Sequence, residues 1–346
     1  MKILLVKLSS LGDVVHTLPV VQDILTVMPD AQIDWVVEKA FAPLLTRVKG
    51  LHRIIPCELR RWRKSFWSAP TRLEWRAFKT DLQTDTYDAV IDLQGLTKSA
   101  VVARLAKLTA PGKRYAMANR TNGSAYEAPT RWLADVPIAV EPHSHAVARG
   151  RQLAASALHY TAKLVKIELN YGLKEFTDQL KRARAAPNNI AFIHGTSRPD
   201  KQWPLQNWVE LGQRFAAHGD RILLVHGSAL EMATSQAIAS RLGTHCTVLP
   251  LLSLDALTIK LADCVGAIGV DSGVSHIAVA LSLAHAQIYN FDTAWRTGPL
   301  GSGPSSSGPS SSGPSSAGHQ VSVFAQPHPT VDAVWQAWLQ AEGALR

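Results

Sequence analysis

The chain has 346 residues, 46% of them hydrophobic and 18% charged, which is long for one core and suits two domains of ordinary size. No stretch approaches the apolar length of a membrane span, and Cys57, Cys246 and Cys264 form no C-x-x-C pair, so a spanning helix, a disulfide framework and a zinc site are not expected. A net charge of +9 calls for an anionic partner: nucleic acid, a phosphorylated substrate or an acidic membrane surface.

From the N-terminus, β-rich apolar runs alternate with segments of helical period: 3–8 then 14–27, 33–37 then 41–48, 89–93 then 99–108. That alternation predicts βαβ units around a parallel sheet. Lys7 interrupts the first run after four apolar residues, too few for a signal-peptide core, so the chain reads as cytosolic. A less regular stretch, 117–142, and a helical one, 145–158, close the first half. Residues 175–187 are polar and basic and read as a connector. A second series then follows, with strands expected at 190–194, 222–226, 247–251, 265–270 and 287–291. The repeat GPLGSGPSSSGPSSSGPSSAG, 298–318, has no apolar anchor and reads as a mobile loop. A last strand at 321–325 and an amphipathic helix at 331–339, containing Trp335 and Trp338, end the chain, the helix docked on the body. The expected fold is α/β, two doubly wound domains in tandem, with ligands outside the carboxyl ends of the strands.

Several strand-to-helix turns carry chemistry. In KLSSLGDVVHTLP, 7–19, Asp13 stands behind Gly12 where a buried strand turns into a helix; its simplest role is a helix N-cap. HGTSRPDKQWP, 194–204, offers Thr196 and Ser197 as donors, Lys201 as a point charge and Pro204 at a helix start, a pattern suited to an anion. In VDSGVSH, 270–276, Asp271, Ser272 and Gly273 precede an apolar helix whose bare N–H groups favour phosphate, with His276 one turn on. Glu231, in HGSALE, can hold ribose hydroxyls or simply sit in a helix first turn. There is no G-x-G-x-x-G after a strand, no P-loop, no D-x-D, no H-E-x-x-H and no G-x-S-x-G, so a standard dinucleotide or P-loop site, a dedicated metal site and a serine nucleophile are not indicated.

Between Arg53 and Lys79 there are eight basic residues against Glu58 and Glu74, which is two-thirds of the net charge. Arg60, Arg61, Arg63 and Lys64 should repel one another unless an anion is bound. The interleaved Trp62, Phe66, Trp67, Trp75 and Phe78 suit an anionic membrane surface, where each cation contributes about 1 kcal/mol, or single-stranded nucleic acid, while Trp75 and Phe78 equally suit simple packing. One carboxylate with phosphate-binding turns fits a transferase whose sugar leaves with a diphosphate, since that needs one base and positive charge.

These stretches resemble the ADP-heptose:lipopolysaccharide heptosyltransferases. The likeness rests on VKLSSLGDVVHTLP at 6–19, DWVVE at 34–38, IPCELRRWRKSFWSAP at 55–70, YDAVIDLQGLTKSA at 87–100, HAVARGRQL at 145–153, TSRPDKQWP at 196–204 and VDSGVSH at 270–276. The RRWRK run followed by FWSAP is similar to the branch that adds the first heptose. The resemblance implies a GT-B fold, two Rossmann-like domains facing across a cleft: an acceptor domain 1–174, a linker 175–188, a donor domain 189–327 and a terminal helix 328–346. It implies inverting, metal-independent transfer of L-glycero-D-manno-heptose from ADP-heptose to Kdo2-lipid A, with no cofactor and no nucleic acid, peripherally on the cytoplasmic face of the inner membrane. A second-heptose transferase, or another nucleotide-sugar enzyme of this fold, is the nearest alternative; a basic single-strand-binding module is a remote one.

By the same resemblance Asp13 is the general base, with Lys201 also catalytic. Gly12, Thr196, Ser197, Lys201, Glu231, Asp271, Ser272, Gly273 and His276 would face the donor. Lys7, Ser9, Ser10, Arg60, Arg61, Arg63, Lys64 and Arg120 would face the acceptor. Two stretches depart from the pattern: NFDTAWR follows Tyr289 where the family has a GPTDP-like loop, and His226 stands where a larger aromatic often lies near the adenine.

Overall fold

The apolar run that opens the chain becomes β1 (Lys2–Val6), with Ile3, Leu4, Leu5 and Val6 fully buried. The reason is its place in the sheet: it pairs in parallel with β2 (Gln32–Glu38) on one side and β4 (Thr86–Asp92) on the other. With β3 (Arg53–Cys57), β5 (Lys107–Met117) and β6 (Val136–Ile138), the order is β3-β2-β1-β4-β5-β6. The computed structural model describes residues 1–164, 166–183, 188–300 and 318–345, so the Gly/Pro/Ser repeat lies almost wholly outside the described residues.

The chain divides into two units, Met1–Gly172 and Leu173–Arg346. The second repeats the plan with β7 (Asn189–Ile193), β8 (Arg221–Leu224), β9 (Cys246–Val248), β10 (Gly266–Val270), β11 (Ala284–Tyr289) and β12 (Gln320–Phe324). Its order, β12-β11-β10-β7-β8-β9, is the order of the first sheet read from the other edge, and every pairing in both sheets is parallel among the described residues. This is the dinucleotide-fold order, in which strand connection reverses direction between the first and fourth strands. The crevice-forming loops are therefore those after β1 and β4, and those after β7 and β10.

Three expectations change. The stretch 99–117 was expected to be helical to 108 and is instead a helix, Thr97–Leu105, followed by β5. β5 is mostly half-buried or exposed, contains Pro111-Gly112 and shifts register against β4 between Tyr87 and Ala89, so it shows no period-two pattern. A Cβ on Gly112 would lie 2.6 Å from the Tyr87 carbonyl oxygen, a close approach that favours glycine. The polar 175–187 segment is helical over Lys174–Ala183, and 184–187 lie outside the described residues. Helix 41–48 shortens to Ala42–Leu45.

The terminal helix, Val331–Gly343, packs within the second unit. Trp338 is 1% exposed and lies against β10, where a Cβ on Gly266 would come within 2.4 Å of its ring. Trp335 meets Phe215 edge-on at 5.1 Å.

In the first unit the helix Leu11–Val27 is tied to the helix Ala146–Ala157 by a buried fork: Arg151 Nε and Nη2 donate to the two Asp23 oxygens at 2.7 and 2.9 Å. Burial drives the Asp23 carboxyl above its ordinary pKa, with Arg151 opposing. Arg151→Ala should strand Asp23, which is fully buried, and destabilise the unit by about 3–5 kcal/mol. Chemical denaturation checks this, and an Arg151→Met, Asp23→Leu pair should recover most of the loss.

Candidate active site

Helix Leu11–Val27 begins on the turn after β1, and its N-cap is Ser10, whose carbonyl accepts from Val14 N–H at 2.9 Å. Asp13 is thus not the N-cap but the third helical residue. Its Oδ2 accepts from Ser10 N–H at 2.9 Å and from Ser10 Oγ at 2.8 Å, the carboxylate half of a capping box. Among the described residues no hydrogen bond reaches Oδ1. Gly12 is the second residue of the helix, and Ser9 N–H and Leu8 N–H both donate to Gln94 Oε1 from the loop after β4. Lys7 is 5% exposed and donates to Leu93 O at 2.9 Å.

Asp13 and Lys7 line a recess with His16, Thr17 and Arg149. Burial would raise the Asp13 pKa, but the Lys7 ammonium, the two Ser10 bonds and Arg149 outweigh it and hold the carboxyl below its ordinary value. Burial lowers the Lys7 pKa, with Arg149 and Lys98 adding to the effect and Asp13 opposing it. Behind them Asp92, 1% exposed, is pushed up to about 6 by burial although Gln94, Gly95 and Ser99 donate to it.

The basic segment folds as a short helix, Leu59–Trp62, followed by Ala69–Leu82. Trp62 and Phe78 are buried and pack with Trp75, which answers the packing alternative in its favour for Trp75 and Phe78. The expectation of four mutually repelling cations needs correcting: Arg61 is held by Glu58 at 2.9 Å and by Glu74. Arg60, Arg63 and Lys64 are exposed and make no side-chain ion pair among the described residues. They line a groove of about 700 Å³ with Trp62, Phe66 and Val101, and Lys98 lines it too while donating to Ser9 Oγ at 3.2 Å. Arg120 is exposed on the loop after β5 and lines neither recess nor groove.

In the second unit the loops after β7 and β10 meet at Asp271. Lys201 Nζ donates to Asp271 Oδ2 at 2.5 Å, His276 Nε2 stands 3.5 Å from Oδ1, and Thr196 Oγ1 donates to the Asp271 carbonyl at 3.4 Å. Burial opposes ionisation, yet His276 and Lys201 hold the Asp271 carboxyl far below the usual carboxylate range. Asp271 and His276 are 6% and 5% exposed, so they position Lys201 more than they present themselves, whereas Ser197 is exposed. Ser272 caps the helix Gly273–Ala280, with Gly273 as its first residue. Pro204, expected inside the helix start, is the residue before the helix Leu205–His218.

Glu231 Oε2 accepts from Gly227 N–H at 2.6 Å, and a Cβ on Gly195 would lie 2.5 Å from its Cδ. Gly195→Ala should therefore displace this carboxylate. His226 Nε2 is engaged by Leu249 O at 2.9 Å.

Lys98, His16 and Arg149 were not foreseen as site residues. All three lie within stretches that carry the family resemblance, but spacing alone marks none of them.

The model of glycosyltransferase family 9, the heptosyltransferases, matches residues 75–309. Lipopolysaccharide heptosyltransferase 1 of Pseudomonas aeruginosa is 38% identical over 307 residues, 87% of this chain and 82% of that protein. The chain belongs to glycosyltransferase family 9. Within the family it is less similar to lipopolysaccharide heptosyltransferase 2 of Escherichia coli, at 27% identity over 87% of this chain and 86% of that one. The structure of E. coli heptosyltransferase WaaC with ADP superposes at a TM-score of 0.81 and 33% identity, covering 97% of this chain and 98% of that chain. This family member is accordingly a glycosyltransferase of lipopolysaccharide core biosynthesis, and the resemblance to the first-heptose branch is borne out over the second.

Proposed function

We propose that the enzyme moves L-glycero-D-manno-heptose from ADP-heptose to a Kdo hydroxyl of Kdo2-lipid A. The observation that carries this is a single poised carboxylate, Asp13, on a turn also holding Lys7, Ser9 and Ser10. Asp13 Oδ1 takes the proton as the acceptor oxygen attacks the anomeric carbon; the carbon–phosphate oxygen bond breaks on the opposite face, inverting the centre. ADP leaves with the bonding electron pair. Lys201 and the N–H groups at the start of helix Gly273–Ala280 answer the charge that develops on the diphosphate, and Glu231 takes the ribose hydroxyls.

The exposed Phe66 and Trp67, 47% and 85% exposed beside Arg63 and Lys64, support peripheral contact with the anionic cytoplasmic face of the inner membrane. Among the described residues no helix is long and apolar enough to cross a membrane.

Radiolabelled transfer from ADP-heptose to Kdo2-lipid A, run beside an already heptosylated acceptor, tests the reading. Preference for Kdo2-lipid A is expected; preference for the heptosylated acceptor would refute it. Flotation with phosphatidylglycerol vesicles should retain the wild type and release an Arg63→Glu, Lys64→Glu variant.

A further inference from the structure

Arg149 sits on the helix Ala146–Ala157 with its side chain turned inward; the residue is 6% exposed and Nη1 donates to Thr121 Oγ1 at 3.2 Å. It lines the recess that also holds Lys7 and Asp13. Two buried cations thus converge on Asp13, with Asp92 a second carboxylate behind Lys7 and Lys98 a third positive charge nearby. For a general base this is an odd neighbourhood, since every added cation makes Asp13 a weaker proton acceptor. Burying a second cation beside Lys7 also carries a desolvation cost. Both costs make sense if the bound substrate brings a negative charge to the same place. The recess has about 10 Å³ free, room for one water-sized polar group and not for a sugar ring. An oxygen of a carboxylate fits that description, and Kdo, an ulosonic acid, carries a carboxylate on the ring whose hydroxyl must reach Asp13.

We propose that Arg149, together with Lys7, is the subsite for the acceptor's ring carboxylate, anchoring it in the recess so that a hydroxyl further round the same ring lies against Asp13. This rests on the acceptor reading of the first unit. Arg149 is a binding residue in this scheme; no bond is made or broken at it. A planar, doubly hydrogen-bonding guanidinium is the group suited to a carboxylate.

The test uses the full-length enzyme with ADP-heptose and two acceptors: Kdo2-lipid A, and the same molecule with the inner Kdo carboxylate converted to the carboxamide. The wild type should favour the carboxylate acceptor by about 100-fold in kcat/KM, mainly through acceptor KM. Arg149→Gln should lose about 100-fold on the carboxylate acceptor and less than threefold on the carboxamide, with donor KM unchanged, and Arg149→Lys should recover part of the loss. A purely structural role would lower both acceptors alike. If the wild type uses the two acceptors within threefold of each other, the subsite is overturned, and that comparison needs no variant to fold. If neither acceptor receives heptose, the acceptor assignment itself fails, a different result from equal use of both.

Discussion

Replacing Asp13 with Asn is expected to lower kcat by about 10²–10⁴-fold while leaving ADP affinity within twofold of wild type. The asparagine is nearly isosteric, and its carbonyl oxygen can still accept from Ser10 N–H and Oγ as Asp13 Oδ2 does, so the helix start should survive. What disappears is the ability to take a proton. The readout is single-turnover transfer, with circular dichroism to check the fold; full activity would remove Asp13 from the mechanism. The pH profile gives a second test. Because Lys7, Ser10 and Arg149 together outweigh burial, the Asp13 pKa lies below its ordinary value, so the acid limb of kcat/KM should fall at lower pH than an unperturbed aspartate would place it. Lys7→Met removes the largest of the lowering influences, and the limb should move upward.

Lys201→Met should reduce kcat/KM for ADP-heptose by about 10²–10³-fold, in donor KM and in kcat together. Two things are lost at once: a cation for the diphosphate, and the partner of a carboxylate that is 6% exposed. Lys201→Arg separates them by keeping the charge, and should recover more of the donor affinity than of kcat. Acid unfolding offers an independent view. The depressed Asp271 pKa stabilises the fold above the unfolded carboxylate value of about 3.9 and is lost as pH falls through the folded value. Without Lys201 that contribution shrinks, so the variant should unfold at a higher pH than the wild type.

How far the sequence could be read depended on where each signal is written. Strands buried on both faces, such as β1 and β10, declare themselves as unbroken apolar runs; β5, half-exposed and bent at Pro111-Gly112, does not. Asp13 was legible as a carboxylate at a helix start, yet its place within the helix depended on Ser10 three residues before it, a capping-box pattern present in the letters. Thr196, Lys201 and Asp271 stood out as donor-rich strand-to-helix turns, and the strand order, which the letters do not show, brings their two loops together. Arg149 was not. It and Arg151 sit two apart on one helix, and only the fold shows one facing a recess while the other clamps Asp23. The basic segment looked like a uniform cationic patch, whereas Glu58 and Glu74 answer Arg61 through a fold-back that linear charge counting does not show.

Lys98 belongs both to the cationic groove and, through Ser9 Oγ, to the turn that carries Asp13. An anion entering the groove would compete with Ser9 for the same ammonium. The cationic groove and the turn that carries Asp13 are therefore linked through one side chain. Lys98→Met should make turnover less sensitive to how many phosphates the acceptor bears.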